Sequence, residues 1–132
     1  MSSKPGFLIS GTDTGVGKTR VGCGLAVPIT WTENYADLAL ALDLDLILVV
    51  NNRLGCLNAA VLSLDYAAHR GLRIAGYILN DATPENSPAA RTNATSMRRL
   101  TKIQCLGEIA HAAPVPLEMC RRLLSSTRAE SA

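Results

Sequence analysis

Hydrophobic positions along the chain fall into short continuous runs separated by stretches with helical spacing. The short runs predict strands over residues 6–10, 44–50, 73–79 and 104–106. The helical spacing predicts helices over residues 18–26, 35–42, 54–70, 91–102 and 115–124. Because strands and helices alternate, we predict an α/β domain with a parallel sheet and helices on both of its faces.

Individual segments sharpen this prediction. The strand over 44–50 ends in residues that are apolar on both faces, as a buried parallel strand requires. Leu38 and Leu42 lie on one face of the helix predicted over 35–42. Gly71 is expected to end the longer helix predicted over 54–70. We expect one domain over residues 1–124 and a disordered C-terminal tail over residues 125–132.

Composition is typical of a globular protein with an aliphatic core. The chain has 132 residues, of which 48% are hydrophobic and 18% are charged. The stretch 36–50 is the most apolar, but three aspartates interrupt it and it is too short to span a bilayer. The first residues lack the apolar core of a secretory signal. We therefore expect a cytoplasmic protein without a membrane partner.

Charge, cysteine and histidine content argue against nucleic-acid binding, metal binding and redox activity. A net charge of +2 is too small to indicate a nucleic-acid partner. Six basic residues could form one basic face, although solvated helix surfaces explain them better: Arg91, Arg98, Arg99, Lys102, Arg121 and Arg122. The four cysteines are too far apart for a metal pair or a redox pair and are predicted to be small buried residues: Cys23, Cys56, Cys105 and Cys120. His69 and His111 are isolated, which favours structural or surface roles.

A glycine-rich segment after the first strand carries the strongest chemical signal. Residues 11–19 read Gly-Thr-Asp-Thr-Gly-Val-Gly-Lys-Thr and precede a predicted helix. Such a loop directs the backbone N–H groups of residues 14–17 at a polyphosphate. Lys18 can reach the outer phosphates, and the Thr19 hydroxyl can ligate Mg²⁺. The alternative is a glycine-rich turn that binds nothing.

Two more loops share the edge of the predicted sheet with the glycine-rich loop, over residues 51–55 and 80–84. Ligands of parallel sheets bind beyond the carboxyl ends of the strands. The Asn80 carboxamide offers both a donor and an acceptor, so it can pair with an adenine edge. An Asx turn at Asn80 and Asp81 is the alternative.

Three stretches together resemble the dethiobiotin synthase family: residues 11–19, 47–58 and 76–84, the last followed by Leu-Gly-Glu-Ile at 106–109. The five residues between Gly11 and Gly17 match that family's own form of the loop. The resemblance implies a three-layer, P-loop NTPase-like fold and a cyclo-ligase that uses ATP and Mg²⁺. In this family, 7,8-diaminononanoate, CO₂ and ATP give dethiobiotin, ADP and phosphate.

The resemblance also assigns roles to individual residues. It implies that ATP is bound by Thr14, Gly15, Val16, Gly17, Lys18, Thr19, Asn80 and Asp81. Within that set, Lys18 would be catalytic and Thr19 would bind the metal. It further implies a homodimer in which a helix start receives the substrate carboxylate of the neighbouring subunit, through Gly55, Cys56, Leu57 and Asn58.

A long middle section that the family carries is absent here, because residues 25–26 run directly into Val27-Pro28. The resemblance therefore implies a fold truncated by an internal deletion, which would expose apolar faces on the strands over 6–10 and 44–50. The family's substrate lysine and two metal-holding carboxylates have no counterpart. Glu33 and Asp37 are expected instead to begin the helix over 35–42.

Three functions stay open at this point. The chain is an ATP-dependent dethiobiotin synthase, a nucleotide-binding remnant without ring-closing activity, or a regulatory dimeric P-loop ATPase. The third is weakest, because that class has a lysine near the start of the loop, where Thr12 and Asp13 stand. We expect a dethiobiotin synthase homologue in which this chain alone has little or no catalytic activity.

Overall fold

A computed structural model describes residues 6–12, 28–84 and 87–129. The elements follow in the order β1 Phe7–Gly11, α1 Tyr35–Ala41, β2 Asp45–Asn51, α2 Cys56–His69, β3 Ile74–Asn80, α3 Pro88–Leu100, β4 Cys105–Ile109 and α4 Leu117–Ala129. The four strands form one parallel sheet in the order β1-β2-β3-β4. The predicted α/β class is confirmed, whereas the helix predicted over 18–26 lies outside the described residues.

Helices cover both faces of this sheet, as predicted. On one face, Leu48 and Val50 of β2 form a core cluster with Cys56 of α2 and Met97 of α3. On the other face, Ile47 packs with Met119 of α4. Each strand pairs with the next one in sequence, so every crossover moves in the same direction along the sheet. Because crossovers of this kind have one hand, their helices lie on the same face, which explains why α2 and α3 share a side.

Helix α1 begins with a reciprocal cap. The Asn34 side chain accepts hydrogen bonds from the N–H groups of Ala36 and Asp37, while the Asp37 carboxylate accepts one from the Asn34 N–H at 2.8 Å. Asp37 also pairs with Arg70 at the end of α2. The role expected of Asp37, at a helix start, is therefore confirmed.

The buried face of α1 differs from the one that the spacing of Leu38 and Leu42 suggests. Both leucines are exposed, and Ala36 and Ala39 are fully buried instead. The two alanines pack in one cluster with Leu46 of β2. Small side chains allow this short helix to approach the sheet closely, which periodicity alone does not reveal.

Several predicted boundaries shift for local reasons. Helix α3 begins at Pro88 rather than at residue 91, because the Ser87 hydroxyl accepts a 3.1 Å hydrogen bond from the Ala90 N–H and proline suits the first helical position. Strand β4 continues to Ile109. Helix α4, expected to end at residue 124, continues to Ala129.

Two glycines allow close packing around β4. A Cβ atom on Gly76 would lie 2.8 Å from the carbonyl oxygen of Gln104. A Cβ atom on Gly107 would overlap the terminal methyl group of Met119. The absence of side chains here lets β3 and β4 pair closely and lets α4 lie flat on the sheet.

The exposure expected from the missing section is only partly observed. Ile9 of β1 is 43% exposed. In contrast, every residue of β2 from Leu46 to Asn51 is buried, so the exposure expected on this strand is wrong. Met119 and Leu106 share a cluster with Ile47 and cover that part of β2.

The cysteines, histidines and arginines are distributed mostly as expected. Cys56 is buried and Cys105 is half-buried, but Cys120 is exposed, so the expectation of burial is wrong there. Cys23 lies outside the described residues. Exposed His69 and His111 each contact a backbone carbonyl. The basic residues divide between α3 and α4 on opposite faces of the sheet, which favours solvated helix surfaces over a single basic face.

Candidate functional site

The carboxyl ends of β1, β2 and β3 lie side by side and bring two predicted loops together. The Thr12 N–H donates to the carbonyl of Val49 at 3.1 Å, and the Thr12 hydroxyl accepts from the Asn51 N–H at 3.3 Å. These bonds fix the start of the glycine-rich loop beside the end of β2. Residues 13–19, which include Lys18 and Thr19, lie outside the described residues.

A cavity of about 340 Å³ opens between the sheet and α4 at the same edge. Its walls are mainly aliphatic and include Ile78, Ile109 and Val115, and Asn80 contributes a carboxamide. A mostly apolar pocket with a few polar groups is typical of a small-molecule site.

Asn80 and Asp81 are held in place by the neighbouring segments. The Asn80 carbonyl accepts from the Asn52 N–H at 2.9 Å, and the Asp81 N–H donates to the Ile109 carbonyl at 2.9 Å. The Asp81 carboxylate accepts a 2.8 Å hydrogen bond from the Asn52 side chain. Asp81 therefore links the ends of β2, β3 and β4.

A network of side-chain amides connects the loop after β2 to helix α3. Asn93 of α3 is 3% exposed and donates to the Asn52 side-chain oxygen at 3.0 Å and to the Arg53 carbonyl at 3.1 Å. The Asn52 amide also donates to the Ala90 carbonyl. Sequence reasoning missed this network, because a single asparagine within an otherwise amphipathic helix gives no distinctive pattern.

The start of α2 lies directly after this network. Gly55 occupies the cap position with φ of +89°, and no described side chain caps the helix. Cys56 is buried in the core and its N–H donates to the Arg53 carbonyl at 3.2 Å, whereas Asn58 is exposed. The positive end of a helix dipole attracts anions, and the anion site expected at Gly55 to Asn58 stays a prediction.

Asn51 is a further residue that sequence reasoning missed. It is 6% exposed, and its side-chain oxygen has no hydrogen-bond partner among the described residues. In the parallel register it lies opposite Asn80. Its position as the last residue of an apolar strand was the available signal, since polar residues at that end of a parallel strand face the ligand edge.

One titrating group lies away from this site. Tyr77 of β3 is fully buried in the cluster beneath α2 and α3, and its hydroxyl also has no partner in the described part of the chain. Burial raises the pKa of the Tyr77 phenol to about 12, and the nearby Cys105 thiol adds to the increase.

Metal-binding clusters and membrane-spanning helices are both absent from the described residues. Residues 6–12, 28–84 and 87–129 contain no group of three or more histidine, cysteine or acidic side chains that could hold a metal. Within the same ranges, no helix has the length and apolar character needed to cross a bilayer.

Comparison with known proteins gives this edge its family context. ATP-dependent dethiobiotin synthetase BioD of Anaeromyxobacter dehalogenans strain 2CP-1 / ATCC BAA-258 is 42% identical over 78 residues, and its counterpart from strain 2CP-C is 44% identical. The match covers 59% of this chain and 35% of each relative, so the chain spans about a third of the relatives' length. A family model described as "AAA domain" matches residues 22–116. The resemblance inferred from the sequence is thus confirmed, and the chain belongs to this AAA domain family.

Proposed function

We propose that the chain binds ATP and that its function is that of a dethiobiotin synthase homologue. The corresponding reaction joins 7,8-diaminononanoate, CO₂ and ATP to give dethiobiotin, ADP and phosphate. The observation that carries the proposal is the convergence of Thr12, Asn80 and the start of α2 at one sheet edge. The names of the similar proteins support the same chemistry.

The phosphate groups are assigned to the glycine-rich loop. Its start is fixed by the two hydrogen bonds of Thr12, so the chain enters the loop at the carboxyl end of the sheet. Residues 14–17 would bind the phosphates through backbone N–H groups, and Lys18 would stabilise charge on the transferred phosphoryl group. The Thr19 hydroxyl would ligate Mg²⁺.

The adenine ring is assigned to the cavity beside Asn80. Apolar walls suit the faces of the ring, and the carboxamide suits its donor and acceptor edge. Asp81 belongs to this base-binding segment, and its side chain serves there to hold the loop through Asn52.

The substrate carboxylate is assigned to the start of α2, at Gly55, Cys56, Leu57 and Asn58. The positive end of this helix, which has no side-chain cap among the described residues, supports an anion site. By analogy with the family, the diamine and CO₂ would react in a homodimer, with each helix start serving the neighbouring subunit. This assembly would function in the cytoplasm.

Catalysis by this chain alone should be weak. The family match begins at residue 22, next to the point at which the middle section is missing. The lost substrate lysine and two carboxylates would each contribute about 2–4 kcal/mol of transition-state stabilisation. A nucleotide-binding remnant is therefore the second candidate, and binding and turnover need separate measurements.

ATP titration of the purified chain by calorimetry tests the proposal. Lys18→Ala should weaken ATP binding at least tenfold, because a charge-assisted contact is lost. Lys102→Ala is a matched control, since Lys102 is exposed on the turn after α3. Equal affinity in the wild type and Lys18→Ala would refute the nucleotide site.

Product analysis separates the two candidates. We expect ATP binding with little dethiobiotin formed from 7,8-diaminononanoate, bicarbonate and Mg²⁺. Tight binding that does not depend on Mg²⁺ would favour the remnant. Hydrolysis that requires Mg²⁺ together with both substrates would favour the active enzyme, and turnover at ordinary enzyme rates would contradict the expected loss of catalysis.

A further inference from the structure

The side-chain oxygen of Asn51 is buried without a hydrogen-bond partner among the described residues, and the fold alone does not explain this arrangement. Asn51 is only 6% exposed, and its side-chain oxygen accepts no hydrogen bond from a described residue. An acceptor buried without a partner destabilises the folded chain. Such a group needs a physical explanation, and a ligand or an ordered water that completes the structure is one.

The oxygen belongs to the face of the sheet that lines the cavity. Side chains alternate along a strand, so Asn51 shares its face with Ile47 and Val49, which both line the cavity. Its register partner Asn80 lines the same cavity. Asn51 therefore lies on the cavity face of β2, next to the lining residue Asn80, although Asn51 itself does not line the cavity.

The position of β2 identifies which part of a nucleotide would meet Asn51. In the proposed function, the phosphates lie beyond β1 and the base lies at Asn80 beyond β3. Neighbouring strands are about 4.8 Å apart, so β2 lies midway along a nucleotide laid across the edge. The sugar connects the base to the phosphates and would occupy that middle position.

The chemistry of an amide oxygen leads to the same group. An oxygen of this kind only accepts hydrogen bonds, and ionised phosphates have none to donate. The donors of ATP are the adenine amine and the two ribose hydroxyls, and the amine is assigned to Asn80. We infer that Asn51 is a further ligand-binding residue whose side-chain oxygen accepts a hydrogen bond from a ribose hydroxyl of the bound nucleotide.

This inference rests on the proposed nucleotide site and adds a sugar preference to it. Ribonucleotides would satisfy the buried oxygen, whereas nucleotides without sugar hydroxyls would leave it unpaired. The site would therefore select ATP over 2′,3′-dideoxy-ATP. A protein that binds only phosphates and base would not discriminate between them.

The test measures the affinity of the full chain for ATP, 2′-deoxy-ATP, 3′-deoxy-ATP and 2′,3′-dideoxy-ATP by calorimetry. The wild type should bind the dideoxy compound about tenfold more weakly than ATP, and one monodeoxy compound should account for most of the loss. Asn51→Leu, which is similar in shape but has no acceptor, should bind ATP and the dideoxy compound equally. Its melting temperature without ligand should rise.

Tyr77→Phe is a matched control, because among the described residues it removes a second buried side-chain oxygen without a hydrogen-bond partner, on the opposite face of the sheet. It should leave the preference for ribose unchanged. Equal wild-type affinity for ATP and the dideoxy compound would overturn the inference, whether or not Asn51→Leu folds. Asn51→Leu that weakens both compounds by the same factor would also overturn it, because the contact would then be to phosphate or base. Failure of the wild type to bind ATP would refute the proposed function itself.

Discussion

The Asp81 carboxylate accepts a hydrogen bond from the Asn52 side chain at 2.8 Å, across two strand ends that are 29 residues apart in sequence. The same Asn52 side chain accepts one from Asn93. Through these two bonds, the loop after β2 is tied both to the loop after β3 and to α3. The geometry of the candidate site therefore depends on residues that do not touch its cavity.

Replacement of Asn93 tests this network. Asn93→Ala would remove the donor to the half-buried Asn52 side-chain oxygen, whereas the Arg53 carbonyl would keep its hydrogen bond from the Cys56 N–H. We expect a loss of about 1–3 kcal/mol in the free energy of unfolding, measured by urea denaturation. Thr92→Ala, at an exposed position on the same helix, should change it by less than about 0.5 kcal/mol. Similar losses in both variants would contradict a special role for the network.

Alanine variants of two glycines at opposite ends of α2 distinguish the effect of backbone strain from the effect on anion binding. Gly55 and Gly71 have φ of +89° and +80°, and both have open space where a Cβ atom would be. Alanine at either position should lower stability by about 1 kcal/mol, because the left-handed conformation strains a side chain. Only Gly55→Ala should also weaken binding of 7,8-diaminononanoate in calorimetry. Equal weakening by Gly71→Ala would argue against a carboxylate site at the helix start.

The contact between Gly107 and Met119 predicts strong coupling between β4 and α4. Gly107→Ala should lower the free energy of unfolding by about 1–3 kcal/mol, because a methyl group would enter space that Met119 fills. Met119→Ala should cost about 2–5 kcal/mol through loss of a buried side chain. The double variant should be more stable than the sum of the two losses predicts. Simple additivity in a double-mutant cycle would mean that the two residues do not interfere.

The phenol of Tyr77 predicts a loss of stability in alkaline solution. Its pKa is about 12 in the folded chain and 10.0 without the fold, so ionisation favours the unfolded state once the pH exceeds about 10. At pH 11 this difference amounts to about 1 kcal/mol, whereas below pH 9 it is negligible. Tyr77→Phe should remove that part of the pH dependence and should be at least as stable as the wild type at pH 8. Parallel pH profiles for the two proteins would contradict the raised pKa.

The strands and most helices were predictable because their signals are local. The apolar run before Asn51 and the regular spacing within α2 identify their elements without knowledge of the tertiary fold. The buried face of α1 was not predictable, since Ala36 and Ala39 are weaker signals than exposed Leu38. Tertiary packing chose the face that allows the closest approach, against the larger hydrophobic side chain.

The candidate site was predictable only in part for a related reason. Asn80 and Gly55 stand in motifs, so their sequence neighbours identify them. Asn52 and Asn93 interact over a separation of 41 residues, and no spacing rule connects them. The end of an apolar strand was a weak signal for Asn51, and its burial without a partner among the described residues is a property of the folded chain.

The direct pairing of β1 with β2 bears on how a shortened member of this family can exist. Phe7 lies opposite Asp45, and the ladder continues to Gly11 and Val49 without interruption. A crossover between adjacent parallel strands needs only about a dozen residues, and residues 12–44 provide ample length. Loss of sequence from such a crossover removes no rung between the two strands. A deletion in this crossover can therefore retain the pairing of β1 with β2 while it removes catalytic residues. A descendant can then keep the fold of the family without its activity.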